Sequence, residues 1–169
     1  MKLTENLTVL NSKEIKAITK QLEEQFGLVD KLDFVFLRNN KDRVYITTRE
    51  IEKIDLASIR IDSVGLYFGK VYADGFRLTI EGAQLIGPLC KKNIVDVSLG
   101  QKHDWLVGKD LPLDVQENCF VILRWNNDYI GSAKVKNGVA FNSVPSARTL
   151  HVVNEQSEEG IETELIDDV

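Results

Sequence analysis

CFVILRWNNDYIGSAKVKNGVAFNSV, residues 119–144, decides how the chain folds. The stretch reads as consecutive strands, CFVILRW, YIGSAKVK and VAFNSV, separated by turn residues. The Asn137 and Gly138 pair between two alternating runs is a strong short hairpin signal, because both central positions of a type I′ turn need positive φ. Asn126, Asn127 and Asp128 mark a second turn. Downstream, TLHVV (149–153) reads as a further strand. Upstream, residues 91–97 begin basic and turn apolar, predicting another strand. Ser98 then caps a helix that carries Trp105 and Leu106 and stops at Gly108. Residues 91–153 are therefore expected to form a small β-rich unit with one early helix.

The preceding residues have a different rhythm. Asn11 followed by Glu14 resembles a capping box, and Ile15, Ile18, Leu22 and Phe26 recur at helical spacing until Gly27. DFVFLRNN and RVYITT then flank the turn formers Asn39, Asn40, Lys41 and Asp42, predicting a hairpin. Thr48 is placed to cap a short helix through Ile54. A second hairpin is expected between residues 64–72 and 76–80, around Ala73, Asp74 and Gly75. A short helix near Glu81 to Leu85 follows, its end marked by Gly87 and Pro88. The fold class expected is α+β: an α/β unit over residues 1–90, a β-rich unit over 91–153, and a tail over 154–169. No internal repeat is visible.

Composition bounds what such a chain can do. Its 169 residues are 43% hydrophobic and 28% charged, enough apolar material for a core. The net charge of −5 argues at first against an acidic partner, yet seven of the 26 carboxylates lie from Glu155 onward, where there is no Lys or Arg. Residues 1–153 carry 21 cations against 19 carboxylates, a nearly balanced body with an acidic tail that is expected to be disordered. No apolar run reaches the roughly 18 residues of a membrane span, and residues 1–10 lack the apolar core of a signal peptide. A cytoplasmic location is expected. Cys90 and Cys119 have neither a CxxC arrangement nor a histidine at ligand spacing, so they read as buried free thiols and no metal site is expected.

Catalytic motifs are weak. GLYFGKV (65–71) mimics a phosphate loop, but it is one residue short and Val71 stands where the metal-binding hydroxyl would be; a strand with two glycines is the simpler reading. There is no GxGxxG after a strand and no GxSxG elbow. His103 lies in the polar run GQKHDW and reads as a solvated helix position, and His151 falls in the last expected strand. The chain is expected to be neither an enzyme nor a cofactor carrier.

What remains is binding chemistry. From Cys119 to Val153 the cations Arg124, Lys134, Lys136 and Arg148 face one acid, Asp128, and are interleaved with Trp125, Tyr129 and Phe141. Lys134 and Lys136 are two apart in a strand and project to one face, where they suit neighbouring phosphates. A solvated outer face, with Ala133 and Val135 pointing inward, explains the same pattern equally well. The aromatic residues fit a core at least as well as a stacking platform. Lys91 and Lys92 would extend the positive face.

The ordered set VGLYFGKV, FRLTIEGAQLIGP, KHDWLVGKDL and VILRW through YIGSAKVKNGVAFNSVPSAR resembles two related groups. One is the PUA-domain ribosome-biogenesis proteins of the Nip-seven type, which join an α/β pre-PUA domain to a PUA domain. The other is the PUA-like tail of the Sun/Fmu RNA cytosine methyltransferases, whose glycine strand, KVxNG turn and NxxPxxxR run are similar to Gly131, Lys134 to Gly138, and Asn142, Pro145 and Arg148. The resemblance spans about residues 7–153. It implies a pre-PUA domain followed by a PUA-like pseudobarrel, and a non-catalytic protein that binds structured rRNA, pre-rRNA or tRNA, and not DNA, in ribosome biogenesis or RNA modification. Lys134, Lys136 and Arg148, then Arg124, Lys91 and Lys92, would contact that RNA. Ribosome-assembly proteins or a separate RNA methyltransferase are the implied protein partners. The alternative is an adaptor that docks a ribosomal protein or assembly factor through its first unit or its acidic tail. The cofactor glycines and Pro-Cys cysteines of the methyltransferases are absent, so their activity is not implied here.

Overall fold

A computed structural model describes residues 7–53 and 64–150. The acidic tail and His151 lie outside the described residues, as does the end of the helix expected through Ile54.

Helix formation begins where capping chemistry dictates. After a two-residue strand, β1 (Thr8–Val9), helix α1 (Ser12–Phe26) starts at Asn11, whose side chain accepts from the backbone N–H groups of Lys13 and Glu14. Glu14 returns a bond to the Asn11 N–H, completing the capping box, and Gly27 closes the helix in the left-handed conformation at φ 64°. Strands β2 (Val35–Arg38) and β3 (Arg43–Thr47) form the first expected hairpin. Its turn is built on Asn39, buried at 5% exposure, whose Oδ1 accepts from the N–H groups of Lys41 and Arg43. A 3-10 turn (Arg49–Lys53) follows, then β4 (Leu66–Tyr72), β5 (Gly75–Leu78) and α2 (Ile80–Ile86), which Thr79 caps. α2 ends at Gly87 as expected, and Pro88 is the second residue of a following 3-10 turn (Gly87–Leu89), early enough that its missing N–H costs nothing. The five strands order β1-β2-β3-β4-β5, all antiparallel.

The second sheet comprises β6 (Ile94–Asp96), β7 (Leu111–Pro112), β8 (Phe120–Trp125), β9 (Asp128–Lys136) and β10 (Val139–Phe141), with α3 (Leu99–Leu106) between β6 and β7. Their order is β6-β8-β9-β10-β7, and β6 runs parallel to β8. The β9–β10 hairpin turns at Asn137 and Gly138, with φ 51° and 75° as a type I′ turn requires. GLYFGKV forms most of β4, a strand as expected.

Two details differ from the sequence reading. The short strands β1 and β7 were not anticipated, because two residues carry no alternation. Thr149 and Leu150 do not continue as a strand. A 3-10 turn (Ser146–Arg148) diverts the chain, and the Leu150 N–H donates to the Leu106 carbonyl at 2.9 Å, at the end of α3.

Strand β8 joins the two sheets. Phe120 and Ile122 enter the cluster formed by Ile18, Leu22, Phe26, Phe36, Val44 and Phe68, whereas Val121 and Leu123 enter a second cluster with Trp105, Leu111, Ala133 and Val135. A strand buried on both faces has no polar alternation, which explains the unbroken run FVIL. Polar links reinforce the seam. The Leu78 N–H donates to Ser132 Oγ at 3.2 Å, and the Gln25 amide bonds both backbone groups of Phe76 at 2.7 and 2.9 Å.

Candidate nucleic-acid interface

The cations expected from the second half are held by carboxylates from elsewhere in the chain. Arg124, on β8, makes a two-pronged contact with Asp96 of the parallel neighbour β6, at 2.6 and 2.9 Å. Hydrogen bonding to Arg124 holds the Asp96 carboxyl below the usual carboxylate range, and Asp96 in turn raises the Arg124 guanidinium. Lys134 pairs with Asp74 in the β4–β5 turn and lies 5.6 Å from the Phe120 ring centre; its bond lowers the Asp74 carboxyl. Arg148 pairs with Glu81 in the first turn of α2. Three of the four cations behind the apparent local excess are thus neutralised at close range. Lys136 is exposed and meets no carboxylate among the described residues.

Lys91 and Lys92 are exposed, and their backbone N–H groups both donate to the Phe26 carbonyl at 2.9 and 2.8 Å. Both residues adjoin the C-terminus of α1, where positive charge suits the helix dipole. Among the aromatic residues, Trp125 receives Lys102 over its ring at 3.4 Å, Tyr129 packs against Gly87, and Phe141 is 46% exposed.

A different group of basic and aromatic side chains lies on the first sheet. Helix α1 covers one face through Ile18, Leu22 and Phe26. On the other face Arg43 of β3 stands opposite Lys70 of β4, and Lys70 stands opposite Arg77 of β5. Neighbouring strands are about 4.8 Å apart, so the three cations form a row about 10 Å long. A bulge between β3 and β4 then places Tyr67 opposite Tyr45, with ring centres 5.2 Å apart. Arg43 lies 5.7 Å from the Tyr67 ring, and Lys70 and Arg77 lie 5.0 and 5.5 Å from Tyr72. Burial raises the Tyr67 phenol against the opposing pull of Arg43 and Arg77, so it remains protonated at neutral pH.

This row borders a cleft of about 310 Å³ between the two sheets, lined by Arg43, Tyr67, Arg77, Glu81, Trp105 and Arg148 among others. The Trp105 indole is fixed by its N–H donating to the Ile130 carbonyl at 3.0 Å. Asn142 secures the facing loop: its amide donates to the Trp105 and Lys109 carbonyls and its oxygen accepts from the Val144 N–H. Of the expected site residues, only Arg148 reaches this cleft. The sequence did carry a partial signal for the rest, in the cation-x-tyrosine repeats Arg43-Val44-Tyr45 and Lys70-Val71-Tyr72.

The family model for the NIP7/UPF0113 pre-PUA domain matches residues 8–80, which hold β1 to β5 and this row. The first sheet and its helix are thus a pre-PUA domain of the NIP7/UPF0113 kind. With the mixed five-stranded sheet of the second half, the chain has the expected α+β class. The crystal structure of a hypothetical protein, PH0734.1, from Pyrococcus horikoshii is similar over 85% of this chain and 99% of its own, at 15% identity and a TM-score of 0.52. That likeness carries the fold across both sheets. A PUA domain protein, APE0525, from Aeropyrum pernix aligns over 80% of this chain and 74% of its own, at 15% identity and a TM-score of 0.48. No curated protein matches the sequence. Among the described residues no helix is long and apolar enough to cross a membrane, and no cluster of three His, Cys, Asp or Glu side chains is placed to hold a metal ion.

Proposed function

We propose that this protein is of the Nip7 type, a non-catalytic factor that binds structured ribosomal RNA or its precursors in the cytoplasm, in ribosome biogenesis or RNA modification. It works alone or as the recognition subunit of a separate RNA methyltransferase, with residues 1–90 as the pre-PUA domain and 91–153 as the PUA-like domain. The observation that carries this reading is the pre-PUA domain fused through a shared core to a β-rich sheet, with cations at their seam. Lys134, Lys136 and Arg148 serve as phosphate contacts on the second sheet. Exposed ion pairs such as those of Lys134 and Arg148 are weak, so an RNA phosphate can replace Asp74 or Glu81. Arg124 is held by two bonds and serves mainly to fix β6 against β8.

The test is equilibrium binding of the full chain to a fluorescent rRNA hairpin over a range of salt concentrations. Affinity should fall steeply with salt, and Lys134→Ala combined with Lys136→Ala should lessen the slope by up to about two units. Absence of salt-dependent binding to any structured RNA at low ionic strength would end this reading. Crosslinking in cells followed by sequencing of the bound RNA identifies the target.

A further inference from the structure

We propose that the face of the pre-PUA sheet opposite α1 binds a single-stranded RNA segment, with its phosphates along Arg43, Lys70 and Arg77 and a base stacked on Tyr67 beside the interdomain cleft. The inference deepens the RNA-binding reading above and rests on it, but places the contact on the first domain.

Charge satisfaction is the first argument. Arg124, Lys134 and Arg148 each have a carboxylate partner, whereas Lys70 and Arg77 have none within ion-pair range among the described residues. What Lys70 and Arg77 approach is the Tyr72 ring, at 5.0 and 5.5 Å. A ring face attracts a cation without neutralising it, leaving the ammonium and guanidinium their charge for a phosphate.

Geometry is the second. The row is fixed by strand register and does not depend on a loop, and its length of about 10 Å suits successive phosphates of an extended strand. Tyr45 and Tyr67, paired beside it, supply the aromatic surface on which any base can stack. An acidic peptide would satisfy the cations but has no use for that surface, so single-stranded RNA is the occupant the face fits. The adjoining cleft, with Arg77 on one side and Arg148 on the other, gives the strand a path toward the second sheet.

The experiment uses the full chain and a fluorescent single-stranded oligouridine of roughly twelve nucleotides, followed by anisotropy across a salt series. Lys70→Gln combined with Arg77→Gln should weaken binding at least about tenfold and reduce the salt slope by about 1.4, because each single-strand phosphate contact contributes about 0.7. Tyr67→Leu should weaken binding about tenfold while leaving the slope unchanged, the signature of lost stacking. Lys16→Ala, on the exposed side of α1, should change neither. If Tyr67→Leu fails to fold, Lys70→Gln alone decides by a slope reduction of about 0.7.

Unchanged affinity and slope in the double variant overturn the inference. So does displacement of oligouridine by polyglutamate of equal charge as effectively as by unlabelled oligouridine, which would assign the face to acidic protein. Wild-type binding to an rRNA hairpin but not to oligouridine overturns this inference alone. Binding to neither overturns the RNA reading as well.

Discussion

Ile122→Ala tests whether the two sheets form one cooperative structure, on which a fixed cleft depends. Ile122 is fully buried in the middle of β8 and points into the cluster built by α1 and the first sheet. The substitution removes three buried carbons, about 2.4 kcal/mol at about 0.8 kcal/mol each. The cavity left in a packed seam raises the cost to about 3–4 kcal/mol. For a chain of this size that lowers the melting temperature by about 6–15 °C, and the urea midpoint by about 1–2 M. Both tryptophans, Trp105 and Trp125, lie in the second half, so their fluorescence reports that half. Far-UV circular dichroism is dominated by the 15-residue α1 of the first half. The two signals should unfold together in wild type and variant, displaced equally by the substitution. A shifted tryptophan transition with an unmoved helical one would refute the shared core, and with it the idea that Arg77 and Arg148 bound a rigid cleft.

Gly82→Ala should cost about 1–3 kcal/mol in a thermal melt, because an added Cβ would lie 2.2 Å from the Phe68 carbonyl oxygen, a backbone atom that cannot swing aside; an unchanged melting temperature would contradict the packing of α2 on β4. Burial pushes the Cys90 thiol up to about 11, so at pH 8 roughly one molecule in a thousand carries the thiolate, and alkylation at Cys90 should be far slower than for a peptide thiol. Labelling at the peptide rate, followed by mass spectrometry, would show that the site is open. The carboxyls of Asp74, Asp96 and Asp104 are lowered by Lys134, Arg124 and Lys109. A lowered folded-state pKa contributes stability that is fully present above the ordinary value of 3.8 and is lost as pH falls through the folded value. Asp96→Asn should therefore flatten the loss of stability on acidification below about pH 4; an identical acid limb in wild type and variant would mean the Arg124 contact is not kept in solution.

How much of this was legible in the sequence depends on the range over which each feature is determined. Caps and turns are set by neighbouring residues. Asn11 with Glu14, Gly27, and Asn137 with Gly138 accordingly stand where expected, with the dihedral angles their chemistry requires. The charge count looks different in three dimensions for the opposite reason. Counting cations from Cys119 to Val153 gave an excess, but Asp74, Glu81 and Asp96, all earlier in the chain, fold back onto Lys134, Arg148 and Arg124. A local count cannot register partners that arrive through tertiary structure.

The basic row is hidden for a third reason, which concerns parity. Tyr67 and Lys70 are three apart, so in a regular strand they would face opposite sides of the sheet. The bulge opposite Val44 and Tyr45 adds one residue, Phe68, to β4, and so returns Tyr67 to the side of Lys70 while Phe68 is buried in the core. Bulges re-aim side chains in this way, and they are invisible to an alternation test that assumes a period of two. The same irregularity that spoils the pattern in LYFGKVY is what brings the Tyr67 ring next to Arg43 and Arg77, cations from two other strands. The basic row of the first domain is therefore a property of register: Arg43, Lys70 and Arg77 are scattered over 35 positions of sequence and become neighbours only when β3, β4 and β5 pair.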